Sequence, residues 1–404
     1  MLQAAIQSAY TLPPDKLAKA VALSHAGNWA YFGGTAWTVL ALWLLLRLGA
    51  GSAIRNLAAR ASHRQWLQGL IIAPLWLLIL TAIGLPISLL MQRVELRYGI
   101  SVEPWTLWWA DFGKSLALTL VVGTVVLGVL YALIRHSPRR WWLWFWILAL
   151  PVEVAAVFVI PVVIDPMFDH FSPLAQAAPA LVDQLERVAA RGHLRIPPSR
   201  MYVMDASAKV TGPNAYVTGF GASKRIVIWD TTLHELSPDE ILATYGHEQG
   251  HYVLHHIQKG LLYSTAVTFV FFWIAFHLFG WLVRRCGDRW RIPTLDDWSS
   301  LGLLLLLVVF LGFFADPVAN AFSRHIEHQA DVYGEEVIHG LVPSPQATMT
   351  QSFQQLGELW LDLPHPNRFI VFWTYSHPPT SDRMRFAASY DPWAPGKHPR
   401  YVSP

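Results

Sequence analysis

Six long apolar runs alternate with polar links along this chain, at about residues 29–46, 66–91, 115–134, 141–164, 261–283 and 301–322. Each approaches or exceeds the ~20 residues a helix needs to cross about 30 Å of hydrocarbon. Tryptophans crowd their ends, as Trp105, Trp108, Trp109, Trp141 and Trp142 do, and such amphipathic rings settle at membrane–water interfaces. The pattern predicts a mainly α, multi-pass membrane protein. Residues 1–164 hold four spans and residues 261–322 hold two more, while 165–260 and 323–404 are polar segments. Neither polar segment is large enough for an independent enzyme, so the two are expected to fold together as a small α+β domain. The first 28 residues read as a polar or amphipathic lead-in, because no basic stretch precedes an apolar one as in a cleavable signal.

Composition agrees with this reading. The chain is 53% hydrophobic with 20 Trp and only 14% charged residues, against about 25% charged in an ordinary soluble domain. The net charge of +3 is small and gathers in membrane-flanking links, so no nucleic-acid partner is expected. The single cysteine, Cys286, excludes an internal disulfide and a cysteine metal site. Arginines concentrate in alternate links: Arg47, Arg55, Arg60 and Arg64; Arg135, Arg139 and Arg140; then Arg284, Arg285, Arg289 and Arg291. The positive-inside rule places those links in the cytoplasm. The polar segments then lie on the other side, the periplasm in a bacterium. Glu153 and Asp316 fall within spans, where an acid faces a polar chamber or pairs with an arginine.

The chemistry lies in the polar segments. His247-Glu248-Gln249-Gly250-His251 is an H-E-x-x-H motif. Residues four apart share a helix face, so His247 and His251 can both offer a nitrogen to one zinc ion. Glu248 is then placed to take a proton from water at the metal. Ser237-Pro238-Asp239-Glu240 reads as the capped start of that helix, and nothing before Leu261 reads as a strong breaker, so the helix is expected to continue into the fifth span. His255 and His256 weaken the motif slightly, because a histidine-rich stretch can be a solvated helix face. Gly246 and Gly250 cost helix propensity but allow close packing.

A second motif, Glu327-His328-Gln329-Ala330-Asp331, extends the sixth span beyond Pro317, which is expected to kink it. Glu327 can supply a third ligand. Asp331, one turn on, can orient a ligand histidine through its other ring nitrogen; alone it would read as a surface acid alongside Glu335 and Glu336. Arg200–Met204, Asn214–Thr218 and Arg225–Trp229 read as short strands. Thr211-Gly212-Pro213 and Gly219-Phe220-Gly221 separate them as turns. A strand edge beside a metal site can hold an extended peptide, and alternation would turn Asn214 and Tyr216 to one side. The plainer reading is a small structural hairpin. His377, before two prolines, and Arg383 could stabilise an oxyanion if the fold brings them near the metal. The Pro- and base-rich tail after Tyr390 is expected to be loosely ordered.

Taken together, these residues resemble the CAAX prenyl protease 1 family, multispanning zinc metalloproteases that process prenylated proteins in eukaryotes. The likeness runs over nearly the whole chain. It includes Glu95-Leu96-Arg97-Tyr98-Gly99-Ile100 with Asp111 and Lys114, and Ile164-Asp165-Pro166-Met167-Phe168 with Phe171-Ser172-Pro173-Leu174. It continues through Asn214-Ala215-Tyr216, the H-E-x-x-H, Ser323-Arg324 before Glu327 and Asp331, and His377-Pro378-Pro379 with Arg383. The resemblance implies a helical barrel of membrane spans around a water-filled chamber, lined and capped by the zinc domain. It implies one zinc ion held by His247, His251 and Glu327, with Glu248 as general base. Asn214 would hold the substrate backbone, and His377 and Arg383 would assist at the reacting carbonyl or support the ligands.

There are departures from the family. Its members typically have seven spans, and this chain aligns from the segment after the first. Their catalytic site faces the cytoplasm, whereas the arginine count here argues the reverse; one span fewer would produce that flip. The Trp- and Arg-rich sequence reads as bacterial, and bacteria generally lack protein prenylation. The expected activity is therefore peptide-bond hydrolysis by an integral membrane zinc endopeptidase of the bacterial inner membrane, acting on a peptide or protein between its spans. The rival is a catalytically quiet zinc-binding chaperone or quality-control scaffold. Glu248 argues against it, since a structural site needs no base and closes with a fourth protein ligand.

Overall fold

A computed structural model describes residues 9–219 and 224–402. Among the described residues, six helices are long and apolar enough to cross a membrane. Four lie in the first part of the chain: α1 (Pro14–Arg47), α3 (Gln65–Tyr98), α4 (Trp105–His136) and α5 (Trp141–Phe168), with a short helix α2 (Ala50–Ala61) after α1. The other two come later in the chain, within residues 256–337. α1 begins well before the expected first span, so most of the supposed lead-in is helix, and a π-helical stretch at Trp29–Gly33 joins its two halves. Helices of over thirty residues run to roughly 50 Å at ~1.5 Å per residue. They outreach the hydrocarbon core, and their ends build the rest of the molecule.

A four-stranded sheet follows α5. Its strands are β1 (Phe171–Pro173), β2 (Met201–Met204), β3 (Ala215–Thr218) and β4 (Arg225–Trp229), in the order β1-β2-β4-β3. Amphipathic helix α6 (Pro179–Arg191) packs Leu181, Leu185 and Val188 into the core here. The sheet corrects the expected hairpin. β3 and β4 are antiparallel, but β2 runs parallel to β4, and the first strand had no visible signal. Arg200 and Asn214 fall just outside their strands. The expected turn at Phe220 and Gly221 lies outside the described residues.

The metal-motif helix is α7 (Pro238–Val253). It does not run on into the fifth span. Leu254 ends it, His255 takes a left-handed conformation at φ 60°, and α8 (His256–Trp290) starts afresh. In contrast, α9 (Leu301–Val337) is one helix through Pro317, which lies inside it without ending it. Glu327 is therefore roughly 40 Å along α9 from Leu301 by the helical rise. Helices α10 (Pro345–Trp360), α11 (Arg368–Thr374) and α12 (Thr380–Ser389) complete the chain.

Two large cores stand out among the described residues. One, among the spans, centres on Trp76, Tyr131, Phe279 and Trp298, with Tyr131 stacked on Trp298 at 4.1 Å. The other joins the sheet, α6, α7, the end of α9 and α10 through Leu185, Ile228, Tyr245, Tyr333, Val337 and Phe353. The arginine-bearing links meet at the end of the bundle away from the sheet. Arg55 pairs with Asp297 at 2.8 Å, and Arg135 donates to the Asp296 carbonyl at 3.1 Å. At the other end, Lys209 bridges Asp111 at 2.7 Å and Asp169 at 2.9 Å, tying α4 to the sheet domain.

Three expectations about polar residues change. Asp316 accepts a hydrogen bond from Tyr31 instead of pairing with an arginine. Glu153 Oε2 is buried without a hydrogen-bond partner among the described residues. Glu335 and Glu336 are wholly buried rather than surface acids. Glu336 also orders the tail: its carboxylate accepts the backbone N–H groups of Arg400 at 2.5 Å, Tyr401 at 2.7 Å and Val402 at 2.9 Å, and the Tyr390 hydroxyl. A carboxylate facing three N–H groups makes strong charge-assisted bonds, so the chain end is held against α9.

Candidate metal centre

The site forms where α7 and α9 cross. α7 starts with the expected capping box: Ser237 Oγ accepts from the Glu240 N–H at 3.4 Å, and Glu240 accepts from the Ser237 N–H at 2.7 Å. The crossing is close because it is made of glycines. A Cβ on Gly334 would lie 2.8 Å from the His247 nitrogen, and one on Gly250 would meet Tyr333 Cβ at 3.0 Å. The helix-unfavourable glycines beside the motif thus set the distance between the helices that carry its histidines and its acid.

Donor atoms of His247, His251 and Glu327 all lie within 4.8 Å of one another. The two Nε2 atoms are 3.1 Å apart. Glu327 reaches them with Oε2 at 3.2 Å from His247 and Oε1 at 3.5 Å from His251. Glu327 Oε2 is buried and makes no hydrogen bond, an orphan that a cation would satisfy. Two neutral imidazoles and one carboxylate are a fitting donor set for zinc and leave a fourth position open.

The surroundings hold these donors in place. Asp331 is fully buried and meets His247 Nδ1 at 2.8 Å. Arg383, on α12, grips the same carboxylate with Nε at 3.0 Å and Nη2 at 2.6 Å, its guanidinium 4.2 Å over the Phe353 ring. Arg383 is thus turned toward Asp331 and His247. His377 stands on the loop before α12, and its Nε2 lies 3.3 Å from Glu327 Oε2. Glu248 lies beside the triad, 4.0 Å from His247 Nε2.

A cleft of about 510 Å³ opens here, its lining including Asn214, His247, Glu248, Phe353, His377 and Arg383. Asn214 stands at the head of β3, its Oδ1 accepting the Ala215 N–H at 2.8 Å. Tyr216 does not join the lining. It packs in a cluster with Met204, Ala206 and Val227, and burial pushes its hydroxyl up to about 12. Asn214 immediately precedes β3, so the strand's alternation starts one residue after it.

Electrostatics follow from burial and neighbours. Burial alone would lower the His247 pKa, but the hydrogen bond to Asp331 and the adjacent Glu327 carboxylate outweigh it and push it up to about 10. Burial raises the Glu248 carboxyl, with His247 and His251 opposing. Asp362, raised by burial, bonds to the Thr380 hydroxyl at 2.5 Å.

Sequence reasoning missed one site neighbour. His256 is buried, with Nδ1 3.1 Å from His251 Nδ1, and its Nε2 is 3.1 Å from Gln329 Oε1. In the sequence His256 looked solvated, because the backbone break that turns it inward leaves no composition signal.

An H-E-x-x-H helix crossed by an acid-bearing extension of a membrane helix defines a multi-pass membrane metalloprotease. Comparison with known proteins narrows that class. Residues 175–391 match the model of peptidase family M48, and residues 6–170 match the CAAX prenyl protease N-terminal model, described as five membrane helices. The chain is 32% identical over 376 residues to an uncharacterized metalloprotease, YhfN, of Bacillus subtilis (strain 168), covering 93% of this chain and 86% of that one. It is 27% identical over 319 residues to CAAX prenyl protease 1 of Saccharomyces cerevisiae, covering 75% of this chain and 68% of that one. The crystal structure of S. mikatae Ste24p has the same fold, with a TM-score of 0.78 at 22% identity over 93% of this chain and 89% of that one. The chain belongs to peptidase family M48.

Proposed function

We propose that the protein is a zinc endopeptidase of a bacterial inner membrane, cleaving extended peptides in a chamber between its spans. One observation carries this reading: three convergent donors, His247, His251 and Glu327, stand beside an acid, Glu248, that is not one of them. Zinc, when bound, polarises the scissile carbonyl and makes water acidic enough to deprotonate near neutral pH. Glu248 takes the proton from the attacking water and passes it to the leaving amine. His377 keeps 56% of its side chain exposed to the cleft while reaching Glu327, so it is free to donate to the developing oxyanion. Arg383 acts through Asp331, holding His247 in its ligating orientation. The edge strand β3 offers backbone groups to an extended substrate, with Asn214 at its head.

The purified protein should carry about one zinc per chain and cleave members of a peptide library, losing both to a strong chelator. Zinc without cleavage would favour the quiet scaffold. Zinc uptake should also release protons. Without metal, His247 holds a proton up to about pH 10, and a ligand nitrogen must lose it. Affinity should therefore rise with pH through the neutral range, about tenfold per unit for one displaced proton. Calorimetry in buffers of different ionisation enthalpy measures that proton; a buffer-independent heat would refute the account.

The periplasmic placement of the catalytic segments rests on the arginine-bearing links, read by the positive-inside rule. Thr294 lies exposed in the link between α8 and α9. In a Cys286→Ser background, Thr294→Cys should react with a membrane-impermeant thiol reagent in inverted vesicles and not in spheroplasts. The opposite result would put the site in the cytoplasm.

A further inference from the structure

His256 lies five residues beyond His251. On an unbroken helix that spacing turns a side chain about 140° around the axis, away from its predecessor. The chain is not unbroken here. The left-handed His255 stops α7 and restarts the helix at His256. A non-glycine residue in this conformation is uncommon and mildly strained. Its effect is to bring the His256 ring back against His251, with ring centroids 5.1 Å apart.

The resulting line of contacts has one metal-competent proton assignment. His251 points Nε2 at the triad, so in its neutral form the proton sits on Nδ1. That N–H faces His256 Nδ1 at 3.1 Å, which must therefore accept. The proton of His256 is then on Nε2, donated to Gln329 Oε1 at 3.1 Å. The Gln329 amide nitrogen, in turn, donates to His325 Nε2 at 3.2 Å. Every donor meets an acceptor. The other His256 tautomer sets two N–H groups head to head, unless the His251 proton moves to Nε2, where it blocks ligation.

We propose that His256 is a positioning residue for the metal centre: it fixes the tautomer and ring plane of His251, and Gln329 fixes His256 in turn. The two ligand histidines are thus held differently, His247 by the Asp331 carboxylate and His251 by a neutral imidazole. This rests on the zinc reading above and assigns roles to residues outside it.

The test compares His256→Phe, which keeps an aromatic ring but removes the acceptor, with His256→Asn, which restores an acceptor near Nδ1, and with Gln329→Leu. Zinc affinity is measured by competition with a chromogenic chelator, and ligand geometry by the visible spectrum of the cobalt-loaded protein. Loss of an orienting partner costs about 10–100-fold in metal affinity. His256→Phe should show that loss with an altered cobalt spectrum. His256→Asn should stay within about threefold of wild type by the same standard, and Gln329→Leu should fall between. Equal losses in the Phe and Asn variants, or wild-type affinity in the Phe variant, would overturn the proposal. If His256→Phe does not fold, wild-type affinity in Gln329→Leu overturns it and a several-fold loss upholds it. A wild-type protein that binds no zinc would bring down the zinc reading itself, and this assignment with it.

Discussion

Replacing Glu248 with Gln is expected to lower peptide cleavage by about 10²–10⁴-fold, the usual share of a general acid–base group, while zinc stays bound. The substitution removes the proton acceptor and almost nothing else. The amide has nearly the shape of the carboxylate, and the three donors, His247, His251 and Glu327, are untouched. Glu248 also sits in buried surroundings that raise its pKa, with two histidines pulling it down. A carboxyl with a raised pKa is the stronger base once ionised. The ionised form is lost as pH falls through the raised value, so activity should decline on the acid side above the usual carboxylate range. Metal content and single-turnover cleavage, measured side by side, decide the matter. A variant that keeps its zinc and its full rate would remove Glu248 from the chemistry.

Asp331→Ala should do the larger structural damage. One wholly buried carboxylate serves two partners, His247 Nδ1 at 2.8 Å and the Arg383 fork at 2.6 and 3.0 Å. Its loss leaves the Arg383 guanidinium buried without its counter-charge, and breaking such a pair costs about 3–5 kcal/mol. The same change frees the His247 ring, which should cost about 10–100-fold in zinc affinity. The two effects separate experimentally. Thermal unfolding of the metal-free protein reports the stranded arginine, and chelator competition reports the freed histidine. Replacing both residues, Asp331→Ala with Arg383→Met, should recover part of the stability and none of the affinity. An Asp331→Ala protein that binds zinc as wild type would show that His247 needs no partner.

Several features were readable before any fold was known, because their signals are local. The later spans lie within helices α3 to α5, α8 and α9, since twenty apolar residues must find hydrocarbon wherever the rest of the chain goes. His247 and His251 share a face by helical period alone. Ser237 and Glu240 close their capping box within four residues. Asp331 follows Glu327 by one turn of a helix whose extent past Pro317 was legible. Signals failed where local pattern was silent or ambiguous. Polar residues near the start hid the helix from Pro14 onward. The tail after Tyr390 looked unstructured, because the groups that order it belong to Glu336. Asn214 read as part of its strand, yet β3 starts one residue later.

By itself, the amino-acid sequence determined that this is a membrane-spanning chain, that one helix carries two imidazoles at ligand spacing with an acid beside them, and that another carries the complementary acids. These properties follow from hydropathy and helical period, which act over a few turns. Only the tertiary structure decided how close the two helices come, through backbone contact at Gly250 and Gly334. It alone set which face His256 presents, through one left-handed residue, and brought Arg383 to Asp331 from a helix 52 residues away. Such pairings join positions whose separation along the chain carries no periodic signal, so they exist only once the two cores have packed and fixed the distances between them.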